Sequence, residues 1–343
     1  MKGDKKLLIF SILCIAAGLA LLFFSDIRSG SDLLQSLERV GAAESQTERS
    51  VEVKEPFRSL RVEEADADVQ LLLSDDGGCR VVYGENEHTR CSVRVENDTL
   101  IVIREDDGVR FGLLYQDSLP LRIYLPEENY AELEIKASSS DVSAARGLRF
   151  EKAEIQTASG DIALQDFCAE ELRLASSSGR IDLEEVRAES LRADSASGDL
   201  RLRDCSLGEL KLGSTSGDMD LEQIECAGGA EIHTASGDVE LKDAEMETLE
   251  LSGTSGRIRL TETVCRGKLT AETASGDIRL QKAAAGSYEL RSTSGDVDGS
   301  VYGPVDFIVD TGSGDVRTKG GQRGAAPCQV NTRSGDVDLD ADR

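Results

Sequence analysis

The chain has 343 residues, 65 of them acidic and 39 basic, for a formal net charge of −26. A charge that negative excludes nucleic acid as a partner, because phosphate binding needs a basic face. Trp is absent, aromatics are 4% of the chain, and His occurs only as His88 and His233, so neither an aromatic stacking site nor His-based acid–base or metal chemistry has material to work with.

Residues 7–24, LLIFSILCIAAGLALLFF, form a run without charge, and Lys2, Lys5 and Lys6 precede it. A membrane span needs about 17–25 such residues. The positive flank predicts a single-pass anchor with the N-terminus cytoplasmic and the rest extracytoplasmic. A cleaved signal peptide would have a shorter apolar core ending in a small-residue site. Here Leu21 to Phe24 continue the run past Ala17-Gly18-Leu19-Ala20. Residues 1–28 are therefore read as cytoplasmic tip and anchor, and the polar residues 29–55 as a linker.

Residues 56–136 carry strand-like alternation, as in Leu60-Arg61-Val62, Arg80-Val81-Val82-Tyr83 and Leu121-Arg122-Ile123-Tyr124-Leu125. Their spacing is irregular, with an insertion around residues 106–118. They read as an N-terminal cap of atypical coils, which a repeat array needs at its open end. Cys79 and Cys91 flank a hairpin-like stretch and are a candidate disulfide pair in an oxidising compartment.

From residue 137 onward one motif repeats. Ser-Gly, then Asp or Arg, then an apolar residue occurs ten times, with glycines at 160, 179, 198, 217, 237, 256, 276, 295, 314 and 335. A degenerate earlier copy is Ser139-Ser140-Asp141-Val142, and Ala67-Asp68-Val69 is an earlier candidate still. A fixed period near 20 means stacked supersecondary units. Counting from each Gly, positions +2 and +4 are apolar (Ile162 and Leu164, Ile181 and Leu183, Val239 and Leu241), as are +12 and +14 (Leu172 and Leu174, Leu210 and Leu212, Leu249 and Leu251). A further apolar column falls at +7, with Phe167, Val186, Cys205 and Ile224. Period-two alternation marks half-buried strands, and short strands hide their inner rows only by contact with neighbouring coils. The expected fold is all-β: a parallel β-solenoid, a single-chain β-helix of 19–20-residue coils stacked in chain order.

Each coil needs corners. The repeat Gly is expected to supply a positive-φ corner, with the Ser before it and a hydroxyl three before it (Thr157, Ser195, Thr234, Thr273, Thr332) bonding to turn groups. Ten equivalent Ser residues beside two His do not make a nucleophile. The Asp column (Asp161, Asp199, Asp218, Asp238, Asp277, Asp296, Asp315, Asp336), broken by Arg180 and Arg257, is expected to accept hydrogen bonds from turn amides. Divalent cations along that acidic edge are the sharper alternative, but the calcium nonapeptide spacing is missing. Cys168, Cys205, Cys226, Cys265 and Cys328 sit near or at inward positions and read as small core hydrophobes. No C-x-x-C occurs, so no zinc site is read. No catalytic, cofactor-binding or metal-ligating residue is assigned, and no cofactor is implied. The closing Asp336, Asp338, Asp340 and Asp342 are expected to discourage stacking of one chain on the end of another.

Phe57, Leu60, Val62 and Asp68-Val69, the Leu125-Pro126 step and the serial Ser-Gly-Asp copies together resemble the bacterial putative-adhesin domain of unknown function, over roughly residues 55–340. That family includes membrane-anchored proteins of cell-envelope stress operons, such as the Lia type. The resemblance implies a surface-exposed β-solenoid with no established activity, cofactor or site residues. Three functions follow as expectations. The first is a membrane-anchored, non-enzymatic surface scaffold or adhesin-like binding module, with a cell-wall, glycan or envelope-protein partner. The second is an accessory or sensory component of an envelope stress response. The third is a polysaccharide-processing β-helix enzyme, which would need a non-repeated acidic or basic cluster that the sequence does not show.

Overall fold

The computed structural model describes residues 46–86, 89–106 and 118–342. Every regular element among them is a strand, and no helix among them is long and apolar enough to cross a membrane. The apolar run 7–24 lies outside the described residues, as does most of the insertion around 106–118.

Alternation sets the strands. The N-terminal part holds β1 (Thr47–Val53), β2 (Ser59–Glu64), β3 (Val69–Leu73), β4 (Cys79–Glu85), β5 (Thr89–Glu96), β6 (Thr99–Asp106) and β7 (Leu121–Leu125). The regular coils hold β8 (Asn129–Ala137), β9 (Val142–Ala144), β10 (Arg149–Thr157), β11 (Ile162–Gln165), β12 (Cys168–Ser176), β13 (Ile181–Glu184), β14 (Arg187–Ser195), β15 (Leu200–Ser214), β16 (Met219–Thr234), β17 (Val239–Gly253), β18 (Ile258–Thr261), β19 (Val264–Thr273) and β20 (Ile278–Ser292). The last stretch holds β21 (Val297–Tyr302), β22 (Val305–Thr311), β23 (Val316–Lys319), β24 (Ala326–Thr332) and β25 (Val337–Asp342).

From β8 to β20 the coils stack in parallel and in register. Leu172 stands beside Leu191, Leu191 beside Leu210, Leu210 beside Ala230 and Ala230 beside Leu249. Ile162 likewise begins a column through Ile181, Leu200, Met219 and Val239. These rows are buried, and the fold is an all-β parallel solenoid. Identical rows a strand spacing apart, about 4.8 Å, bury apolar surface on both neighbours at once, so each coil's core exists only through the next. Near the N-terminal end, stacked rings fill the core: Phe57, Tyr130, Phe150 and Phe167 have successive centroid distances of 5.9, 5.3 and 5.5 Å.

The alternation of 19- and 20-residue periods has a local cause. Leu207 pairs with Cys226 but Leu210 with Ala230, and Met246 pairs with Cys265 but Leu249 with Leu269. Each longer coil thus carries one extra residue in a bulge, at 226–230 and at 265–269, where Gly228, Gly229 and Gly267 sit. The inner rows keep their register on either side.

At both ends the stacking order departs from chain order. β2 lies between β6 and β8, and β3 between β7 and β9. At the far end β24 lies between β20 and β22, and β25 between β21 and β23. The acidic closing strand is therefore sandwiched inside the stack. The expectation that it guards the open end is corrected, because residues 305–319 form the outermost coil.

The N-terminal end is finished by antiparallel strands: β1 on β4, β4 on β7 and β5 on β6. The linker read to residue 55 is thereby shortened, since Thr47–Val53 is a strand. Its side chains are mostly exposed, so it lacks the inner apolar row that signals a strand in sequence. β4 and β5 pair with different neighbours, and Cys79 and Cys91 are both free thiols.

Candidate interaction surfaces

The most repeated feature is the Ser-Gly-Asp corner. The repeat glycines do not have positive φ; among the described residues the positive-φ glycines are Gly77, Gly147, Gly299, Gly303, Gly320 and Gly324. What demands Gly is close approach. A Cβ on Gly179 would lie 1.8 Å from the carbonyl oxygen of Gly160, and one on Gly237 would lie 2.0 Å from that of Gly217. Coil rides on coil here, backbone against backbone. The left-handed corner falls instead at +6, on Asp166, Glu185, Asp204, Gln223, Asp243, Glu262 and Lys282, with φ between 45° and 56°. The sequence signal was weak, because Glu, Gln and Lys are not the residues that favour this region.

In most copies the hydroxyl three before the repeat Gly accepts from the Gly amide; Gly253 before Gly256 has no hydroxyl, and Thr311 before Gly314 donates instead to the Gly335 carbonyl. The distances are 3.0 Å for Thr157, 2.8 Å for Ser176, 2.9 Å for Ser195 and 3.0 Å for Thr234. These hydroxyls are buried, and they satisfy a donor that would otherwise be orphaned at a dry corner. The Ser directly before Gly does the opposite. Ser159, Ser178, Ser197, Ser216, Ser236, Ser255, Ser275 and Ser294 are exposed, so one hydroxyl per coil forms a rib facing solvent.

The Asp column forms a second ladder. Asp161 Oδ1 accepts from the Arg180 amide at 2.6 Å, Asp218 Oδ1 from the Asp238 amide at 2.8 Å, and Asp238 Oδ1 from the Arg257 amide at 2.7 Å. A carboxylate so engaged is held by its neighbouring coil. Where Arg interrupts, Arg180 Nη1 lies 3.8 Å from Asp161 Oδ2, and Arg257 Nη1 lies 3.7 Å from Asp238 Oδ2. No group of three or more metal-ligating side chains comes together among the described residues.

On the outer face Arg173, Arg192 and Lys211 stand side by side in successive coils, followed by Glu231 and Glu250. Arg192 binds Asp194 at 2.7 Å and Lys211 binds Glu231 at 3.0 Å. Beside them runs a shallow depression of about 310 Å³ floored by Leu174 and Ala175. A second, of about 400 Å³, is lined by Ser214, Thr215, His233 and Thr254. His233 Nδ1 lies 2.5 Å from Ser252 Oγ on this exposed face; among the described residues no carboxylate bonds to that ring. The buried thiols of the coils are poor nucleophiles. Burial pushes Cys265 and Cys328 up to about 12 and Cys205 up to about 11, so thiolate, the nucleophilic form, is scarce. The described surface offers repeated polar contact, one set per coil.

The chain matches the family model described as Toastrack DUF4097 over residues 57–243 and 231–343. Among curated proteins, none matches this sequence. Similar solved structures include a putative adhesin from Bacteroides fragilis NCTC 9343, at 11% identity over 88% of this chain and 98% of that one, with a TM-score of 0.36. A putative lipid binding protein from Parabacteroides distasonis ATCC 8503 is 15% identical over 86% and 98%, with a TM-score of 0.35. A putative cell adhesion protein from Clostridium sporogenes ATCC 15579 is 12% identical over 87% and 100%, with a TM-score of 0.20. TM-scores this low transfer neither fold nor function.

Proposed function

Because this chain belongs to the Toastrack DUF4097 family, we propose that it is a membrane-anchored, extracytoplasmic, non-enzymatic binding scaffold of the adhesin kind. The observation that carries this reading is the repetition of one exposed chemistry per coil: a rib of serine hydroxyls and, on the outer face, in-register charged columns. A ligand with its own repeat, such as a cell-wall or surface glycan, meets the same donors and acceptors at each step, so modest contacts add along its length. The uncharged run 7–24 behind Lys2, Lys5 and Lys6 supports the anchor and the orientation. The second reading, an accessory role in an envelope stress response, rests on the resemblance to Lia-type membrane-anchored proteins.

The test is retention of the full chain on isolated cell-wall glycan. Replacing Ser178, Ser197 and Ser216 by Lys should weaken retention several-fold while leaving the β-sheet circular dichroism unchanged. Equal retention of both proteins, or none by the unaltered chain, overturns the glycan-binding reading. Protease protection of intact cells tests orientation separately.

A further inference from the structure

The outermost coil at the C-terminal end differs from the rest of the molecule. β22 pairs only with β24 and β23 only with β25 among the described residues, so each leaves one edge open. Two of the four large exposed hydrophobics among the described residues lie on this coil: Ile308 at 54% and Val316 at 46% exposure. The loop back to β24 bonds to Val305 O through the Gln322 amide and to Asp306 through the Gly324 amide. That leaves Phe307–Thr311 and Val316–Lys319 free to pair.

Charge identifies the occupant. The chain as a whole is at −26, but residues 303–325 carry three acids (Asp306, Asp310, Asp315) against three bases (Arg317, Lys319, Arg323). Most contacts between two copies set acid against acid; this coil does not. Asp310 and Arg317 make no ion pair or side-chain hydrogen bond within the described chain. They sit on outward-facing positions of the two open strands, Asp310 on β22 and Arg317 on β23.

We propose that this edge is an isologous interface with a second copy of the chain, in which β22 of each copy pairs antiparallel with β23 of the other. A two-fold axis perpendicular to the solenoid axis reverses the winding sense, so edges brought together are antiparallel. Of the orientations this allows, pairing β22 with β22 sets Asp310 among carboxylates. Pairing β22 with β23 places Asp310 opposite Arg317 of the second copy, and Ile308 beside the alkyl stem of its Lys319, twice by symmetry. Backbone hydrogen bonds supply the attraction, as in other strand additions, and the two charge pairs select the register. The strands are short, so the dimer is weak and depends on concentration. Two-fold closure uses up both edges and stops at two copies. The inference concerns the purified chain alone, and its outcome is independent of glycan retention.

The experiment is sedimentation of the full chain in mild non-ionic detergent over a concentration series, for four proteins. The unaltered chain should reach dimer. Asp310→Arg and Arg317→Asp should each weaken dimerisation by about tenfold or more, since two exposed attractions become repulsions. The single variants mixed, and the Asp310→Arg/Arg317→Asp double variant, should recover it. A chain that stays monomeric throughout, single variants that dimerise like the parent, or a mixture without recovery each overturns the proposal.

Discussion

The two ends of the solenoid solve the same problem differently. At the N-terminal end, antiparallel strands fold back over the outer coils, and their charges are met within the chain: Arg49 with Glu85 at 3.1 Å, Arg122 with Glu48 at 2.6 Å, Arg94 with Glu96 at 2.8 Å. Beneath them Arg104 and Glu64 face each other at 3.6 Å with side chains 2% and 1% exposed. Glu64 Oε1 accepts from the amides of Ala65, Asp66 and Ala67. At the C-terminal end no described strand covers β22 or β23 on their outer edge. Residues 312–320 are all exposed, and among the described residues neither Asp310 nor Arg317 makes an ion pair, although Arg317 stands in register beside Asp338 of β25. The N-terminal end is thus committed to its own fold, and the other end keeps unused pairing capacity. The contrast lies in how much edge is left open and not in complete hydrogen bonding, since beneath the N-terminal strands Glu64 Oε2 and both terminal nitrogens of Arg104 are buried with no hydrogen-bond partner among the described residues.

The largest effect that sharpens this comparison is steric. Gly160→Ala sets a Cβ 1.8 Å from the Ser140 carbonyl oxygen, and should cost more than about 4 kcal/mol by denaturant titration, or prevent folding. Gly324→Ala, at φ +77° with nothing within 4 Å, should cost about 1–3 kcal/mol from backbone strain alone. Equal losses would mean the coils do not ride backbone on backbone.

Next comes the buried pair. Arg104→Met leaves a buried carboxylate unpaired and should cost about 3–5 kcal/mol at neutral pH. Asp310→Arg at the other end should stay within about 0.5 kcal/mol. Burial raises the Glu64 carboxyl above its ordinary 4.5, against the pull of Arg104 and the three amides. A raised folded value favours the protonated form, so that contribution is complete below 4.5 and is lost as pH climbs through the folded value. Removing Arg104 takes away a pull that lowers the Glu64 value, so that value rises further in Arg104→Met. The penalty should therefore grow as pH climbs above the parent's folded value, and adding Glu64→Gln should flatten it.

Smaller again is Thr157→Val, which strips the acceptor from the Gly160 amide and should cost about 1–3 kcal/mol. Its counterpart Thr311→Val removes only a 3.5 Å contact to the Gly335 carbonyl, and should cost less than about 0.5 kcal/mol. Smallest of all, Ile308→Ala should leave stability within about 0.5 kcal/mol while lowering dimer formation.

Much of this was legible in the residues. Ile162, Leu164, Leu172 and Leu174 alternate, recur and are buried, because a strand with one dry face has no other economical pattern. The Asp column was read as accepting turn amides, which Asp161 and Asp238 do. The corner chemistry was half legible. Gly was recognised as required, but steric proximity and left-handed backbone leave the same letter in a sequence. The structure separates them by placing the left-handed residue at Asp204 or Lys282. Stacking in chain order was legible from β8 to β20, but its rearrangement at the two ends was not. When each coil carries nearly the same inner rows, Gly335 fits on Gly295 as well as Gly314 would, and only the connecting loops decide.

That interchange of coils at the ends has a consequence for biosynthesis. A solenoid laid down in chain order can grow like a winding spring, each turn settling as it leaves the ribosome. Here β24 and β25, the final strands, take the place directly beside β20 and β21, a place the earlier residues 305–319 must leave vacant or surrender. These two strands act as a keystone, so this layer stays unfinished until residues 326–342 have been made. A chain cut short before residue 326 loses the layer that joins its outermost coil to the stack.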